Sequence, residues 1–263
     1  MQYIAVTGAC GGMGRKTVAW LQQQGFGVFA LDRELGEAGE RVFPLQVDVT
    51  DEASVAAAAA RIREMTDTLY AVVHFAGLYM LDSLVEMDSR DFDRIMAVNV
   101  YGAFLVNKAF LPLLKEGSRI LMTTSELAPL DPLPFTGIYA VTKGALDRYA
   151  YSLCMELQLL GISVSVLRAG AVDTGMLGAS TRALERFCDR SKLYACNAGR
   201  FKHIVESVET RCIPPQKLAE KVGRILMSRN PRFAYSINRN PLLLLLNALP
   251  QRWQLRIIRQ ILR

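Results

Sequence analysis

The chain has 263 residues, 51% hydrophobic and 21% charged, which excludes a disordered or collagen-like chain and suffices for a large core. Five cysteines without CxxC spacing and only two histidines, His74 and His203, point away from a disulfide framework, a metal site and most Ser-His-Asp arrangements. The net charge of +6 divides into +9 over residues 221–263, which hold no Asp or Glu, and −3 over the rest; basicity confined to a tail argues against a nucleic-acid partner.

In chain order, apolar and β-branched runs fall at residues 3–7, 27–32, 42–47, 69–76, 118–124 and 162–168. Segments with helical spacing lie between them at about 13–25, 52–65, 91–115 and 139–160. Near-continuous apolar strands separated by helices predict an α/β fold: a single doubly wound, Rossmann-type parallel sheet with helices on both faces, one domain over 1–263. Residues 172–214 break the rhythm, being too polar and irregular for a core element, and read as a substrate-binding loop region. Residues 229–263 read as a basic, apolar C-terminal extension. The apolar runs fall short of the roughly 18–20 residues of a membrane span, and the first strand begins almost at Met1. The expectation is therefore no targeting segment and a cytoplasmic protein, at most peripheral to a membrane.

The first strand runs into Thr7-Gly8-Ala9-Cys10-Gly11-Gly12-Met13-Gly14 and then a helix. Glycines let the backbone turn sharply beside a pyrophosphate, and the new helix's free N–H groups favour negative charge. The second strand ends at Asp32-Arg33, 24 residues after Gly8. A carboxylate there can hold an adenosine ribose diol and repels a 2′-phosphate, which favours NAD; the Arg33 guanidinium could instead pair with that phosphate, the mark of NADP. Tyr139 and Lys143 are four apart on one helical face, where an ammonium favours the phenolate and draws its pKa toward working range. Ser125 ends the fifth strand, at the sheet edge where open α/β folds bind ligands, and can hold a substrate oxygen beside Tyr139.

These motifs together resemble the short-chain dehydrogenase/reductase family over nearly the whole chain. Thr7, Gly8, Gly12 and Gly14 match its TGxxxGxG turn, and Asp48-Val49-Thr50 is similar to the segment whose Asp contacts adenine. His74-Phe75-Ala76-Gly77 stands where the family has NNAG, so the bracing Asn side chains are lost. Asn99 matches the active-site Asn, and Tyr139-Ala140-Val141-Thr142-Lys143 resembles YxASK. Arg168 to Thr174 resembles RPGxVxT, with Ala169 for the Pro. Ser125 and Tyr139 are 14 apart, one residue more than usual, which predicts a bulged loop.

The resemblance implies roles. Tyr139 is the general acid/base, Lys143 lowers its pKa and binds the nicotinamide ribose, Ser125 orients the substrate oxygen, and Asn99 holds a water on a relay to Lys143. The cofactor-binding set is Thr7, Gly8, Gly12, Met13, Gly14, Asp32, Arg33, Asp48, Val49, Ala76, Gly77, Tyr139, Lys143, Val172 and Thr174. Ser125, Glu126, Tyr139 and Met176 form the substrate set, with Glu126 either facing solvent or meeting a substrate hydroxyl. A homodimer or homotetramer is implied, joined through the two long helices.

Segments 213–219 and 230–235, and Pro241 with its five leucines, are similar to the C-terminal pattern of hydroxysteroid and retinol dehydrogenases. Leu127, Leu130, Leu133, Phe135, Met176 and Leu177 suit an apolar pocket. Arg252, Arg256, Arg259 and Arg263 share a helical face, on a helix that packs on its own domain, on a second subunit or on an anionic membrane. The expected function is hydride transfer between NAD(H) and a secondary alcohol or ketone on a small hydrophobic substrate such as a steroid, retinoid or lipid. An NADPH-dependent carbonyl reductase and a non-catalytic dinucleotide sensor are the alternatives.

Overall fold

Seven strands form one all-parallel sheet in the computed structural model, which describes residues 1–209 and 211–263, with side chains outside 175–182 and 206–210. The strands are β1 (Tyr3–Thr7), β2 (Gly27–Asp32), β3 (Val42–Gln46), β4 (Leu69–His74), β5 (Leu114–Ser125), β6 (Ser163–Ala169) and β7 (Ala234–Ile237). Their order is β3-β2-β1-β4-β5-β6-β7, so the direction of winding reverses between β1 and β4. In such sheets the crevice outside the strand C-termini at this reversal is the ligand site. β1 shows why the central strands read as unbroken apolar runs: Ile4 and Val6 join one core cluster and Ala5 the opposite one.

Helices cover both faces. On one lie α1 (Gly12–Gln23) and α8 (Pro215–Leu226), which drive Val18, Leu21, Leu218 and Val222 against the sheet. On the other lie α2 (Glu52–Arg63), α4 (Gly102–Phe110) and α5 (Gly137–Leu157), contributing Ile62, Leu105, Phe110 and Leu146. The helix expected over 91–115 is instead α3 (Ser89–Met96), a π-helical segment (Ala97–Tyr101) and α4, ending in a 3₁₀ turn at Leu111–Leu113. This stretch, Ser89–Leu113, is long and apolar enough to cross a membrane by composition, although its uninterrupted apolar runs are short. Ile95, Leu105, Val106 and Phe110 on it are buried within the protein.

The region expected to be a loop, 172–214, folds into α6 (Gly175–Arg190) and α7 (Ala195–Glu209). The correction has a simple cause. Ala183, Leu184 and Phe187, then Ala198 and Phe201, recur at helical spacing and bury one narrow stripe in a satellite cluster, while the outer faces stay polar. The corner between these helices is clamped to the segment after β4. Asp82 pairs with Arg190, and the Glu86 carboxylate accepts from Ser191 Oγ (2.7 Å), Lys192 N (2.8 Å) and Leu193 N (3.0 Å). The chain ends in α9 (Pro241–Asn247) and α10 (Gln251–Leu262).

His74, at the tip of β4, is buried, and its Nε2 lies 2.9 Å from Asn107 Oδ1; Asn107 Nδ2 donates to the Tyr149 hydroxyl at 3.1 Å. This chain of polar groups ties the tip of β4 to α4 and α5. Burial lowers the His74 pKa from 6.5 to about 4. An unfolded chain takes up this proton below pH 6.5 and the folded one does not until about 4. Folding stability should therefore fall between those two values, by roughly 3 kcal/mol at most. Urea denaturation across that range should show the slope in the wild type and a flatter one in His74→Gln.

Candidate active site

The glycine turn sits at the reversal point. Gly8 has φ +67°, and a Cβ there would lie 2.5 Å from Ala76 N, so only glycine lets β1 exit this close to the end of β4. Thr7, fully buried, fastens the same junction: its carbonyl accepts from Phe75 N (3.0 Å) and its hydroxyl from Ala76 N (3.3 Å). At Gly12 a Cβ would fall 2.6 Å from the Thr174 Cβ, which brings the segment after β6 onto the turn. The N-terminus of α1 has no side-chain cap and no acidic residue in its first turn, leaving its N–H groups for an anionic group. Asp32, ending β2, reaches back to this turn: its Oδ2 accepts from Cys10 N at 2.9 Å. Arg33 beside it is exposed, close enough to favour the Asp48 carboxylate, which Thr50 already holds low through its hydroxyl and amide. Arg15, which sequence reasoning passed over, donates to Cys10 O at 3.0 Å. Val49 is buried against Gly102, and Val172 pairs with Ile213 across an isolated bridge. These donors and carboxylates suit a dinucleotide: amides for a pyrophosphate, Asp32 for a ribose diol.

Ser125, Tyr139 and Lys143 meet at the C-terminal end of β5. Ser125 and Lys143 line one cavity together with Tyr139, and Ser125 hydrogen bonds with the Tyr139 hydroxyl. Lys143 Nζ donates to Thr123 O at 3.1 Å and lies 5.8 Å from the Tyr139 ring centre. Both side chains project from one face of α5, as their spacing predicts. Their electrostatics differ from expectation. Burial and the neighbouring Tyr79 push the Tyr139 phenol up, outweighing the Ser125 hydrogen bond, so among these residues alone the phenol keeps its proton. Burial lowers Lys143 to about 8. Tyr79, whose ring centre stands 4.7 Å from that of Tyr139 edge-on, had no signal in the sequence.

Asn99 lies in the π-helical segment, fully buried. Its Oδ1 accepts from Leu78 N (2.7 Å), and its Nδ2 donates to Leu78 O (3.0 Å) and Thr142 Oγ1 (3.0 Å). Gly77 separates it from Lys143: a Cβ there would lie 3.4 Å from Asn99 Oδ1 and 3.5 Å from Lys143 Nζ. The side chain thus braces the end of β4 against α5.

The cavity, about 580 Å³, is walled by Leu127 and Leu133, by Phe201 of α7 and by Leu243, Leu246 and Ile258 of the last two helices. Met13 lines it too. Phe135 does not: at φ +63° it turns away and packs against Phe187 and Phe201. Glu126 is buried rather than facing solvent. Its Oε2 accepts from Asn240 N at 2.6 Å, burial raises its pKa, and it lines the cavity. The side chains of Met176 and Leu177 lie outside the described residues.

A glycine turn, a carboxylate one strand away and a buried Ser-Tyr-Lys cluster at the strand tips together define a dinucleotide-dependent oxidoreductase site. Residues 2–185 match the family model described as short chain dehydrogenase, and the chain belongs to that family, whose members use a nicotinamide dinucleotide on alcohol or ketone groups. It is 27% identical over 253 residues to a 3-ketodihydrosphingosine reductase of Bacteroides thetaiotaomicron, covering 96% of this chain and 93% of that one. It is 34% identical to estradiol 17-beta-dehydrogenase 2 of Mus musculus over 66% of this chain and 49% of the relative. An NADPH-dependent 1-acyldihydroxyacetone phosphate reductase of Schizosaccharomyces pombe is 30% identical over 69% of this chain and 65% of its own. Among solved structures, a short chain dehydrogenase of Burkholderia cenocepacia in complex with NADP superposes with a TM-score of 0.76, at 23% identity and over 100% of both chains.

Titration of Lys143 is directly testable. The folded chain should lose this charge near pH 8 and the unfolded one near 10.5, so the residue's contribution to stability rises with pH between those values. Heteronuclear NMR of the lysine side chains should show one resonance titrating near 8 that is missing in Lys143→Arg.

Proposed function

We propose that this protein interconverts a secondary alcohol and a ketone on an apolar, lipid-like substrate, using NAD(H). The observation that carries this reading is the Ser125–Tyr139–Lys143 cluster opening into a cavity walled by aliphatic side chains. In reduction, Ser125 holds the ketone oxygen and the Tyr139 hydroxyl gives it a proton; the Lys143 ammonium offsets the phenolate left behind. Oxidation runs the same steps backward. Asn99 keeps the floor of the site in place, and the second lone pair on its Oδ1 suits a water that links to Lys143. When bound, the dinucleotide supplies or accepts the hydride. Gly8, Gly12, Gly14 and the start of α1 would hold its pyrophosphate, Asp48, Val49 and Ala76 would flank the adenine end, and Gly77, Val172, Thr174 and Lys143 would line the nicotinamide end, with buried Thr7 fastening the turn.

Glu126 gives the apolar cavity a polar point. Its Oε2 is taken by Asn240, and Oε1 has no hydrogen-bond partner among the described residues, so it can accept from a substrate hydroxyl or ammonium. This supports a lipid with a polar head near the reacting carbon over an unsubstituted hydrocarbon ketone. The names of the relatives, which include a reductase of a sphingoid ketone and an estradiol dehydrogenase, agree with a lipophilic class. Pairing of two copies through α4 and α5 is supported by exposed Tyr101, Phe104, Tyr151 and Met155 on those helices and the adjoining π segment.

NAD is favoured because Asp32 is fixed against the glycine turn, where its charge opposes a 2′-phosphate. NADP is the second reading, carried by Arg33 and Arg15 beside the same turn. Fluorescence titration should give tighter binding of NADH than NADPH, with the preference reversed or lost in Asp32→Ala; an NADPH preference in the wild type would overturn the assignment. On an accepted long-chain ketone, Tyr139→Phe should lower kcat by about 10² to 10⁴ and leave dinucleotide binding intact. Unchanged turnover would remove the mechanism.

A further inference from the structure

The last two helices roof the cavity, and the roof is also its entrance. Ile257, Ile258 and Leu262 of α10 face inward beside Leu243 and Leu246 of α9. Three polar ties hold the pair down: Asn247 Oδ1 accepts from Asp131 N (2.6 Å), Gln254 Nε2 donates to Asp131 Oδ2 (3.0 Å), and Asn197 Nδ2 donates to Leu262 O (2.6 Å). Yet Leu242, Leu245 and Ile261, which also line the cavity, are 61%, 66% and 53% exposed. A side chain that both lines a cavity and stands more than half in solvent sits at its rim. The mouth is therefore ringed by aliphatic groups, where water-filled mouths usually carry polar ones.

The segment that forms the roof carries one sign of charge, and the neighbouring Asp131 carboxylate is taken up by Gln254. Arg252, Arg256, Arg259 and Arg263 recur at helical spacing and are all exposed, on the side of α10 opposite its inward residues. Trp253 and Leu255, both exposed, flank that stripe, and the Arg256 guanidinium lies 5.6 Å from the Trp253 ring centre. From residue 221 to 263 the chain carries nine basic residues and no acidic one. Aliphatic side chains at the rim, a tryptophan and a cationic stripe beside it fit the interface of a bilayer with anionic headgroups, which would accept the first and neutralise the last.

We propose that the α9–α10 pair docks on an anionic lipid surface with the cavity mouth turned toward the bilayer, so that the substrate passes between lipid and active site without crossing water. This rests on the reading of the cavity as a site for an apolar substrate. A protein partner with an acidic groove fits the arginines but not the leucine-ringed opening, and a second copy of this chain would bring like charges together.

Vesicle flotation tests the idea without turnover. The full chain should float with phosphatidylcholine vesicles containing phosphatidylglycerol and stay behind with phosphatidylcholine alone. Replacing Arg252, Arg256 and Arg259 together by Gln should weaken partitioning by about 100-fold, while the triple Lys variant retains it. Trp253→Ser should weaken it further in the Gln background. Both triple variants should turn over a short, water-soluble ketone at the wild-type rate, which also shows that they fold. No flotation, equal flotation with neutral vesicles, or a dimer in gel filtration that Trp253→Ser dissociates would each overturn the proposal. Flotation by a protein that reduces no apolar ketone would instead refute the reading of the cavity and leave the docking surface standing.

Discussion

The side chain of Asn99 ties the molecule's chemistry to its scaffold. From a π-helical bulge it makes three hydrogen bonds, two to the main chain of Leu78 just past β4 and one to Thr142 on α5. Thr142 precedes Lys143 and stands three residues beyond Tyr139, so this one amide fixes the register of the catalytic helix against the strand tips. A regular α-helix would carry residue 99 at a different angle; π-bulges are rare and occur often at functional sites for this reason. Gly77 lies between Asn99 and Lys143, and a Cβ there would be in van der Waals contact with both Asn99 Oδ1 and Lys143 Nζ.

Dryness sets the electrostatics. The burial that pushes the Tyr139 phenol up also brings Lys143 down to about 8, because both effects are the cost of placing charge in an apolar surrounding. The site therefore holds a proton on the phenol and an ammonium that gives up its charge near pH 8, well below an ordinary lysine. Such a pair responds strongly to charge arriving nearby, since the low dielectric that penalises isolated ions also strengthens their attraction.

Much of the fold was legible in the sequence because the parallel strands are buried on both faces, which forces runs such as Ile4-Ala5-Val6 and Val28-Phe29-Ala30-Leu31 to be wholly apolar. β7 was not legible: it is a four-residue edge strand, half-buried, with Ser236 outward. α6 and α7 were hidden because only a narrow stripe of each is buried, and its partners, Phe135 and Leu81, are far away in sequence. At the site, Ser125, Tyr139 and Lys143 were readable as a spacing on known elements. Tyr79 and the leucines of α9 were not, since contact between residues more than 50 apart in sequence leaves no local periodicity. Local sequence could not choose between the two readings of Glu126, solvent or cavity, because its amide partner, Asn240, belongs to a segment that no local pattern places beside β5.

The contact between Thr174 and Gly12 has a further consequence. Thr174 occupies the space that a side chain at 12 would need, and α6 begins at the very next residue. The glycine turn thus adjoins the start of the helix pair whose second member, α7, walls the cavity. Any free-energy coupling carried through this contact is reciprocal, so whatever factor a ligand on the turn imposes on a ligand in the cavity, the second imposes on the first.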